Sequence, residues 1–538
     1  MNSLLGDPFH YPYPSRRAVV QSLRGMVATS HPLAAQAGLK ILQAGGNAID
    51  AAVATAAALT VVEPTSNCIG GDTLALVWHE NQLHGLNASG PAPINISIAK
   101  LSAQGFNAFP TYGPSGVTVP GTPASWVALS ERFGNLSLQQ SLNEAIELAR
   151  EGFPVSPTVA YAWNQAFQLF KDEFSAQHYK PWFEAFAPLG RAPRSGEIWK
   201  QPDQANTLSC IASDHGDSFY HGSLARDIAS FCQNAGGYLS VSDLAAFKPD
   251  WVEPISANYR GYTVWEMPPN CQGIVALMAL GALKDFSFSE RDSALTYHRQ
   301  IEAIKLAFEL GIANITDIKR MSISVNEMLS ETTSARMHSE INERARLPED
   351  GQQQRGGTVY VSCADAQGNM VSLIQSGYMN FGSGLVVPGT GINLQNRGNG
   401  FSLDPSHPNC LEGGKRPFHT IIPGFLTHGN RPVGSFGVIG SYLQPQAHVQ
   451  MVMNMIDFGL NPQAALDAPR WEWTKGNQVS LERGTPQAIF DSLQSLGHEV
   501  SWSTNPLAFG RGQIILRDTN GVLTGGTEPR SDSSIAAW

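Results

Sequence analysis

The chain lacks the excess of basic residues that a nucleic-acid-binding protein carries. Its 538 residues include 35 lysines and arginines against 45 aspartates and glutamates, and the formal net charge is -10 at pH 7. A protein that binds nucleic acid usually presents a basic face that neutralises phosphates. We therefore expect no nucleic-acid partner.

The chain also has little cysteine and no long apolar run. Its six cysteines are scattered, without a C-x-x-C pair, so neither a zinc site nor a disulfide framework is predicted. No stretch of about 18 apolar residues could span a bilayer, and the N-terminus lacks the basic-then-apolar order of a secretory signal. We expect a cytoplasmic protein with no membrane partner. The cysteines are Cys68, Cys210, Cys232, Cys271, Cys363 and Cys410.

What the chain does have is length and regular patterning. It is long enough for a large buried core, and its 52 glycines and 34 prolines indicate many tight turns. From His31 the apolar residues follow helical spacing as far as Gly45-Gly46, and Asn47 then opens a run of small apolar residues that reaches Leu59. A helix that is apolar on every side is buried, so this second helix is predicted to lie in the core.

The remaining patterns combine helices with antiparallel strands. A hairpin is predicted near residues 73–89, and the charged, polar stretch 322–357 is predicted to be flexible and exposed. Together the elements indicate an α+β fold with α/β/β/α layers. Further helices are predicted at 136–151, 223–235, 274–283, 292–311 and 446–458, and strands around Val359, Val371, Leu385, Phe425 and Ile514.

One hairpin carries a pattern of its own, QRGGTVYVSCADAQGNMVSLIQSG. Apolar and polar residues alternate from Thr358, turn residues follow at 366–369, and a second apolar run ends at Ser376. Symmetric pairing about the turn sets Thr358 opposite Ser376 or Gly377, a choice that the pattern leaves open. The hydroxyls of Thr358 and Ser376 are therefore expected to be neighbours.

The two glycines before Thr358 suggest a reactive peptide bond. Gly356 and Gly357 leave the preceding carbonyl unhindered and the backbone free to adopt strained angles. Attack by the Thr358 hydroxyl on that carbonyl would break the chain and free an α-amine, whose ordinary pKa of about 7.7 to 8.0 suits a general base. A threonine activated by its own amine is a known nucleophile. The alternative is that Thr358 simply begins a strand after a turn.

Seven separate motifs between Gly25 and the C-terminus resemble the γ-glutamyltransferase family. They are MVATSHPLAAQAGLKILQAGGNAIDAAVATAAALTVVEP, IGGDTLALVW, YRGYTVWEMPPNCQG, GTVYVSCADAQGNMVSL, FGSGLVVPGTGINLQNRGNGFSLDP, KRPFHTIIP and DAPRWEW. The resemblance implies an N-terminal-nucleophile hydrolase, a four-layer αββα sandwich without a cofactor. It also implies a precursor that cleaves itself into a large fragment, residues 1–357, and a small fragment, residues 358–538, which together form one domain.

The resemblance also assigns site residues. It implies Thr358 as the nucleophile, Ser376 as its supporting hydroxyl, and the backbone N–H groups of Gly440 and Ser441 as the oxyanion hole. Backbone donors need no particular side chain, and a tight turn can direct them at a developing oxyanion. The alternative for Gly440-Ser441 is an ordinary strand-to-helix turn.

Five positions depart from the family pattern for binding an α-amino acid. Ser89 stands where the family usually has an arginine for the α-carboxylate, and Gly400 where it has an aspartate for the α-amine. Tyr378 replaces an asparagine, and His419 and Thr420 replace paired serines. No obvious anion remains to meet an ammonium group. We therefore expect the chain to keep the residues for amide cleavage and to lack those that bind the α-amine and α-carboxylate of a γ-glutamyl amino acid.

Arg397, in the same loop as Gly400, is an additional basic residue relative to the family pattern. Its planar fork can bind a carboxylate through two hydrogen bonds, although a structural ion pair is the alternative. For His419, a satisfied half-buried histidine is the alternative to substrate contact. We assign Arg397, Tyr378, His419, Thr420 and Ser89 to a substrate-binding group.

These residues favour a self-processing amidohydrolase for a small acid amide such as oxamate. The alternatives are a γ-glutamyl hydrolase or transferase acting on glutathione-like compounds, a glutaryl or cephalosporin acylase, and an unprocessed, inactive scaffold. Other chemistries have weaker support. His31, His407 and His419 lack the spacing of metal ligands, no phosphate-loop pattern is present, and no G-x-S-x-G motif marks a serine nucleophile.

Overall fold

A computed structural model describes residues 17–348, 356–505 and 507–538. Helices and strands alternate along these residues, with a helix-rich first half and a strand-rich second half. The strands are β1 (Val20–Ser22), β2 (Gly25–Thr29), β3 (Asp72–His79), β4 (Gln82–Ala88), β5 (Phe153–Pro154), β6 (Ile198–Trp199), β7 (Asp250–Val252), β8 (Ile255–Tyr259), β9 (Tyr262–Glu266), β10 (Gly357–Asp365), β11 (Met370–Tyr378), β12 (Val386–Val387), β13 (Ile392–Asn393), β14 (Gly424–His428), β15 (Arg431–Val438), β16 (Trp471–Lys475), β17 (Gln478–Leu481), β18 (Glu499–Trp502), β19 (Gly512–Arg517), β20 (Leu523–Thr527) and β21 (Ser534–Ala537).

The helices vary from one turn to more than five. They are α1 (Pro32–Gln43), α2 (Ala48–Val62), α3 (Ile98–Ala103), α4 (Thr122–Phe133), α5 (Leu138–Glu151), α6 (Pro157–Glu173), α7 (Lys180–Phe186), α8 (Pro202–Asp214), α9 (Asp217–Tyr220), α10 (Ser223–Asn234), α11 (Val241–Ala246), α12 (Gly273–Leu283), α13 (Ala294–Ile312), α14 (Val325–Met328), α15 (Glu331–Glu340), α16 (Leu443–Ile456), α17 (Pro462–Asp467) and α18 (Gln487–Ser495). In the parts of the chain that the structure describes, no helix is both long and apolar enough to cross a membrane.

Two seven-stranded antiparallel sheets form the centre of the molecule. The first has the order β21-β2-β10-β11-β3-β4-β7, and the second has the order β1-β20-β19-β15-β14-β9-β8. Strands from the two ends of the chain pair within each sheet, β2 with β21 in the first and β1 with β20 in the second. In the first sheet β10 lies between β2 and β11. The hairpin with Thr358 is therefore at the middle of the first sheet.

Three apolar cores separate four layers. Between the two sheets, Tyr360 and Ile374 of the first sheet share a core with Phe425 and Ile515 of the second. A second core joins α1, α2 and α5 to the other face of the first sheet, where Val359 lies. The third core joins α12, α13 and α16 to the outer face of the second sheet. Because side chains alternate along a strand, neighbours such as Val359 and Tyr360 serve different cores. The αββα prediction is confirmed.

The predicted core helix is confirmed as α2. Asn47 caps this helix, since its side chain accepts hydrogen bonds from the backbone N–H groups of Ile49 and Asp50. The Asp50 carboxylate in turn accepts a hydrogen bond from the backbone N–H of Asn47. Every residue of α2 is buried. Small side chains allow this close packing on both sides, because alanine keeps the helix narrow.

The prediction that residues 322–357 are exposed is confirmed for most of 322–348, where most residues are exposed or half-buried, and wrong for Gly357, which is buried in β10. The segment 322–348 nevertheless has regular structure. Two short helices, α14 and α15, form there, and Ser324 and Ser330 cap them by accepting backbone hydrogen bonds. Met328 and Met337 are buried in the core beneath the second sheet's helices. Each of the two helices thus packs one methionine into that core, which average composition does not reveal. Residues 349–355 lie outside the described residues.

Candidate active site

The β10–β11 hairpin brings Thr358 and Ser376 together. Gly357 pairs with Tyr378 and Val359 pairs with Gln375, with an irregularity between the two pairs. That irregularity places the Thr358 Oγ1 3.2 Å from the Ser376 Oγ, within hydrogen-bonding distance. The predicted neighbourhood of the two hydroxyls is confirmed.

Both hydroxyls also contact the carbonyl oxygen of Gly357. This oxygen accepts from Thr358 Oγ1 at 2.7 Å and from Ser376 Oγ at 2.7 Å. Thr358 is only 2% exposed and Ser376 is fully buried, so water competes little for these bonds. Two donors on one carbonyl oxygen withdraw electron density from its carbon and stabilise negative charge that develops on the oxygen. The Gly357 carbonyl is therefore polarised by two neighbouring hydroxyls.

The two glycines before Thr358 are required by close backbone approach. A Cβ on Gly356 would lie 2.7 Å from the carbonyl oxygen of Tyr378, and a Cβ on Gly357 would lie 3.0 Å from the Cα of Ser66. Both neighbours are backbone atoms that cannot rotate away. Glycine at these positions therefore lets the chain pass between β11 and the loop after α2.

Arg397 lies directly behind the two hydroxyls. It begins a 3₁₀ turn, Arg397–Gly400, and is fully buried. Its Nη2 donates to Ser376 Oγ at 3.2 Å and its Nη1 donates to Thr420 Oγ1 at 2.9 Å. The guanidinium carbon lies 4.1 Å from the centre of the Tyr378 ring, a cation–π contact. The structure thus gathers three residues of the predicted substrate group, Arg397, Thr420 and Tyr378, beside the hairpin.

Asp72 is an acidic residue of this site that the sequence analysis missed. It begins β3 and pairs with Ser376 across the sheet. Its Oδ1 accepts from Gly90 N at 3.0 Å and from Gln395 Nε2 at 2.9 Å, while its Oδ2 accepts from His419 Nε2 at 2.9 Å. The expectation that no anion lies nearby is therefore corrected. A single aspartate at the start of a buried strand, in IGGDTLALVW, was the available clue.

Asp72 and Arg397 form a buried pair that is incompletely bonded. The Arg397 Nε lies 3.9 Å from Asp72 Oδ2, and it has no hydrogen-bond partner among the described residues. Burial lowers the pKa of the Arg397 guanidinium, and the charge of Asp72 opposes that shift. The guanidinium remains charged at neutral pH, because the ordinary pKa of arginine is far above it. Arg397 therefore keeps one donor free in a water-poor site.

His419 has the contacts of a satisfied buried histidine. Its Nε2 bonds to Asp72, and its Nδ1 accepts from the backbone N–H of Ile421 at 3.4 Å. Burial and the charge of Arg397 lower the pKa of His419 to about 4, although the bond to Asp72 opposes them. The imidazole is neutral at pH 7. Its direct role is to hold Asp72, which corresponds to the structural alternative left open by the sequence.

Ser89 is buried in an adjoining polar group. Its Oγ donates to Asn87 Oδ1 at 2.6 Å and accepts from Asn270 Nδ2 at 3.3 Å. The next residue, Gly90, bonds to Asp72 through its backbone. Ser89 is thus joined to the site through Asp72, while its hydroxyl is bonded to the two asparagines.

The turn at Gly440-Ser441 lies beside the cavity that Gly357 also lines. It lies between β15 and α16, with φ of +135° at Gly440 and +56° at Ser441. Gly440 lines a cavity of about 540 Å³ together with Gly356, Gly357 and Arg511. The Arg511 side chain, which the sequence analysis did not identify, is held there by Glu63 and by Ser66 at 2.5 and 3.1 Å.

A separate group of possible metal ligands lies between α13 and β18. Atoms of His298, Glu302 and His498 are within 4.8 Å of one another. The Lys305 ammonium lies 2.8 Å from Glu302, and His298 Nδ1 and His498 Nε2 form a hydrogen bond of 2.8 Å. His498 Nδ1 is buried without a hydrogen-bond partner among the described residues, and none of these groups touches the Thr358 hairpin in the described contacts.

Comparisons with known proteins agree with this architecture. The family model for gamma-glutamyltranspeptidase matches residues 34–538. The glutathione hydrolase-like YwrD proenzyme of Bacillus subtilis (strain 168) is 37% identical over 521 residues, which cover 95% of this chain and 97% of that protein. The oxamate amidohydrolase proenzyme of Klebsiella pneumoniae is 35% identical over 531 residues, covering 96% of this chain and 99% of that protein.

Solved structures support the same assignment. The crystal structure of cephalosporin acylase from Bacillus halodurans is 56% identical and superimposes with a TM-score of 0.97, covering 99% of each chain. The Helicobacter pylori gamma-glutamyltranspeptidase is 28% identical with a TM-score of 0.55, covering 63% of this chain and 95% of that one. The chain therefore belongs to the gamma-glutamyltranspeptidase family of N-terminal-nucleophile hydrolases, enzymes that act on amides.

Proposed function

We propose that the chain is a self-processing amidohydrolase that cuts itself between Gly357 and Thr358 and then hydrolyses a small acid amide. The observation that carries the self-cleavage is the Gly357 carbonyl oxygen, which accepts from the Thr358 and Ser376 hydroxyls at 2.7 Å each. The observation that carries the substrate class is the buried Arg397 with its unpartnered Nε.

Self-cleavage follows from this geometry in two steps. The Thr358 oxygen attacks the Gly357 carbonyl carbon and gives up its proton. The C–N bond breaks, and the nitrogen takes up that proton to become the free amine of Thr358. Water then hydrolyses the ester, which leaves a carboxylate on Gly357 and restores the hydroxyl. Ser376 stabilises the oxygen that becomes negative during attack.

The two fragments remain one domain after cleavage. In the first sheet, β10 of the fragment 358–538 pairs with β2 of the fragment 1–357, and β11 pairs with β3. In the second sheet, β14 pairs with β9 across the same division. Breaking one peptide bond removes none of these ladders, so the fragments are partners in a single αββα unit.

The mature enzyme uses the same groups on an external amide. The new amine of Thr358 takes the proton of its hydroxyl, and the oxygen attacks the substrate carbonyl. The N–H groups of Gly440 and Ser441 bind the oxyanion, a role supported by the place of Gly440 in the lining of the cavity beside Gly357. The amine leaves, and water hydrolyses the Thr358 ester.

The position of Arg397 limits the length of the acyl group. Its Nη2 is 3.2 Å from Ser376 Oγ, which in turn is 2.7 Å from the oxygen of the scissile carbonyl. A substrate carboxylate can therefore meet the guanidinium only if it is carried close to the reacting carbonyl. Tyr378 covers the guanidinium from one side. A short acid such as the oxamate type fits this spacing.

The charges favour a substrate without an ammonium group. Asp72 already accepts three hydrogen bonds and faces Arg397. Burying an ammonium requires an anion of its own, or several kcal/mol are lost. A monoanionic acid amide needs only the free donor of Arg397.

A second candidate is an acylase for a larger side chain. The cavity of about 540 Å³ beside Gly357 is lined by Tyr112 and Tyr161 and has room for more than a two-carbon acid. A relative of this chain, from Bacillus halodurans, is named a cephalosporin acylase. Such a substrate would lie in this cavity and would depend little on Arg397.

The deciding experiment is a comparison of kcat/KM on oxamate, a glutaryl amide and γ-glutamyl-p-nitroanilide. Wild type is tested beside Arg397→Ala and Arg397→Lys, after gel electrophoresis confirms two fragments in each. We expect oxamate to be preferred, with a loss of roughly 10- to 100-fold in Arg397→Ala. Arg397→Lys keeps the charge but loses the fork, so a partial recovery is expected. Efficient turnover of a γ-glutamyl or glutaryl amide that is indifferent to Arg397 would favour the alternatives, and a single uncut, inactive chain would indicate a scaffold.

A further inference from the structure

Gln272 joins two segments of the candidate active site. It lies at the N-terminal end of α12 and is fully buried. Its side-chain Nε2 donates to the backbone carbonyl of Thr420 at 2.6 Å and to the backbone carbonyl of Ser441 at 2.8 Å. Its own backbone N–H donates to the carbonyl of His419 at 3.0 Å. One residue therefore bridges the segment 419–420 and the turn 440–441.

The two bridged segments have different tasks in the proposed mechanism. Thr420 accepts from Arg397 through its hydroxyl, so its backbone position sets where the acid-binding guanidinium lies. Ser441 belongs to the turn whose N–H groups would bind the oxyanion. The distance between those two subsites decides whether a substrate can place its carboxylate and its carbonyl correctly at the same time.

Ser441 needs external support for its conformation. It has φ of +56°, a left-handed geometry that a residue with a Cβ adopts only when its surroundings hold it. The Ser441 carbonyl accepts from Gln272 Nε2 at 2.8 Å and from the Gln444 backbone N–H at 3.1 Å. These two bonds fix the peptide beyond Ser441, and with it the direction of the turn.

The orientation of the Gln272 amide follows from its neighbours. Two carbonyl oxygens lie within 2.8 Å of the same amide atom, and a carbonyl can only accept. That atom is therefore the NH₂ group, which offers two donors. Neither a carboxylate nor an apolar side chain of similar length can supply both.

We propose that Gln272 is a positioning residue, which holds the oxyanion turn at a fixed distance from the Arg397 subsite. It touches neither the substrate nor the reacting atoms and acts through Ser441 and Thr420. This inference rests on the proposed function for its acid substrate, but its effect on the turn at Ser441 applies to any acyl group that Thr358 accepts.

The test compares Gln272→Met with a matched control, Gln450→Met. Gln450 is also a buried glutamine, and its Nε2 also donates to two backbone carbonyls, of Gln446 at 3.2 Å and Trp471 at 3.0 Å. Tm, the processed fraction, and kcat and KM for oxamate are measured for both. The rate at which p-nitrophenyl acetate acylates Thr358 is measured as well, with Thr358→Ala as the background. This ester carries no carboxylate, so it reports on the nucleophile and the turn alone.

We expect Gln272→Met to lower kcat and the acylation rate by roughly 10- to 100-fold relative to Gln450→Met, at a similar Tm. If Gln272→Met fails to fold, Gln272→Glu replaces it, because it keeps the length and at most one donor, and it should also lose kcat. Equal kcat and acylation rates in the Gln272 and Gln450 variants overturn the inference. Wild type that is acylated but hydrolyses no acid amide refutes the proposed substrate and leaves the acylation comparison decisive. Wild type that is not acylated at all overturns both.

Discussion

The Thr358 hydroxyl oxygen lies 2.7 Å from the carbonyl oxygen of Gly357, the residue before it. The side chain is folded back over its own peptide bond, on the face where Ser376 also donates. An attacking group held against the bond it would break needs little further ordering, and such placement supplies a large part of a rate enhancement. This contact supports the proposal that the chain cleaves itself at Gly357–Thr358.

Replacing the nucleophile should leave the chain intact. Thr358→Ala removes the attacking oxygen, so we expect a single band at the full 57.9 kDa and no amidohydrolase activity. Thr358→Ser keeps a hydroxyl at the same position and is expected to retain cleavage. Mass spectrometry checks the new N-terminus at residue 358. A wild-type chain that is active without being cut would contradict the assignment.

Removing the Ser376 hydroxyl should slow both processing and turnover. Ser376→Ala deletes a donor to the Gly357 carbonyl and an acceptor for Arg397. The loss of one hydrogen bond in a polar site costs about 1 to 3 kcal/mol, which corresponds to roughly 10- to 100-fold in rate. Time courses of cleavage and steady-state kinetics measure the two effects. Rates equal to wild type in both assays would argue against a role for this hydroxyl.

The nucleophile hairpin was predictable because its information is local. Alternation along two strands and four turn residues narrow the partner of Thr358 to Ser376 or Gly377. The α2 core helix was likewise marked by a continuous apolar run. In both cases one short stretch of sequence carries the period and the boundaries, so the neighbouring residues suffice.

The remaining site residues come from distant parts of the chain. Asp72, Gln272 and Arg511 reach the site from β3, the start of α12 and the strand-rich end, and each looks ordinary in its own segment. Which polar residue meets which is decided by the packing of two sheets, and a single sequence carries no register between them. For 322–348 the polar composition indicated the exposure of most residues but not the two helices, which bury Met328 and Met337.

Adding a methyl group at Gly356 should slow self-cleavage more than adding one at Gly357. A Cβ on Gly356 would meet the Tyr378 carbonyl oxygen at 2.7 Å, whereas on Gly357 the nearest atom, the Ser66 Cα, is at 3.0 Å. Overpacking of this kind costs about 1 to 3 kcal/mol, so Gly356→Ala is expected to cut at least tenfold more slowly. Cleavage is followed on gels from the time of synthesis.

The variants Gly356→Ala and Gly357→Ala also separate the rate of self-cleavage from the rate of substrate turnover. Once the Gly357–Thr358 bond is cut, both glycines belong to the released end of the large fragment and no longer precede the nucleophile. Activity per processed molecule is therefore expected to match wild type in Gly356→Ala. A fast-cutting Gly356→Ala chain, or a processed one with low kcat, would show that the glycines serve another purpose.

Stability should fall as pH drops from about 6.5 towards 4, partly because of His419. Burial lowers its pKa to about 4, and it likewise lowers that of His31 to about 4 and that of His498 to about 3. Unfolded histidine binds a proton near pH 6.5, so between these values the unfolded chain holds more protons than the folded one. The free energy of unfolding then rises with pH, by up to about 1.4 kcal/mol per unit for each such histidine. The contribution is complete above about pH 6.5 and is lost as pH falls through the folded pKa.

His419→Gln tests this linkage against an exposed control. Glutamine keeps a donor for Asp72 and does not titrate, so the slope of unfolding free energy against pH between 6.5 and 4.5 is expected to decrease. His221→Gln, at an exposed histidine, serves as the control and should leave that slope closer to wild type. Urea unfolding followed by fluorescence at several pH values gives the slopes. If His419→Gln and wild type lose stability in parallel as the solution is acidified, then the buried imidazole is not one of the groups that take up a proton on unfolding, and the contact with Asp72 must hold it in its charged form.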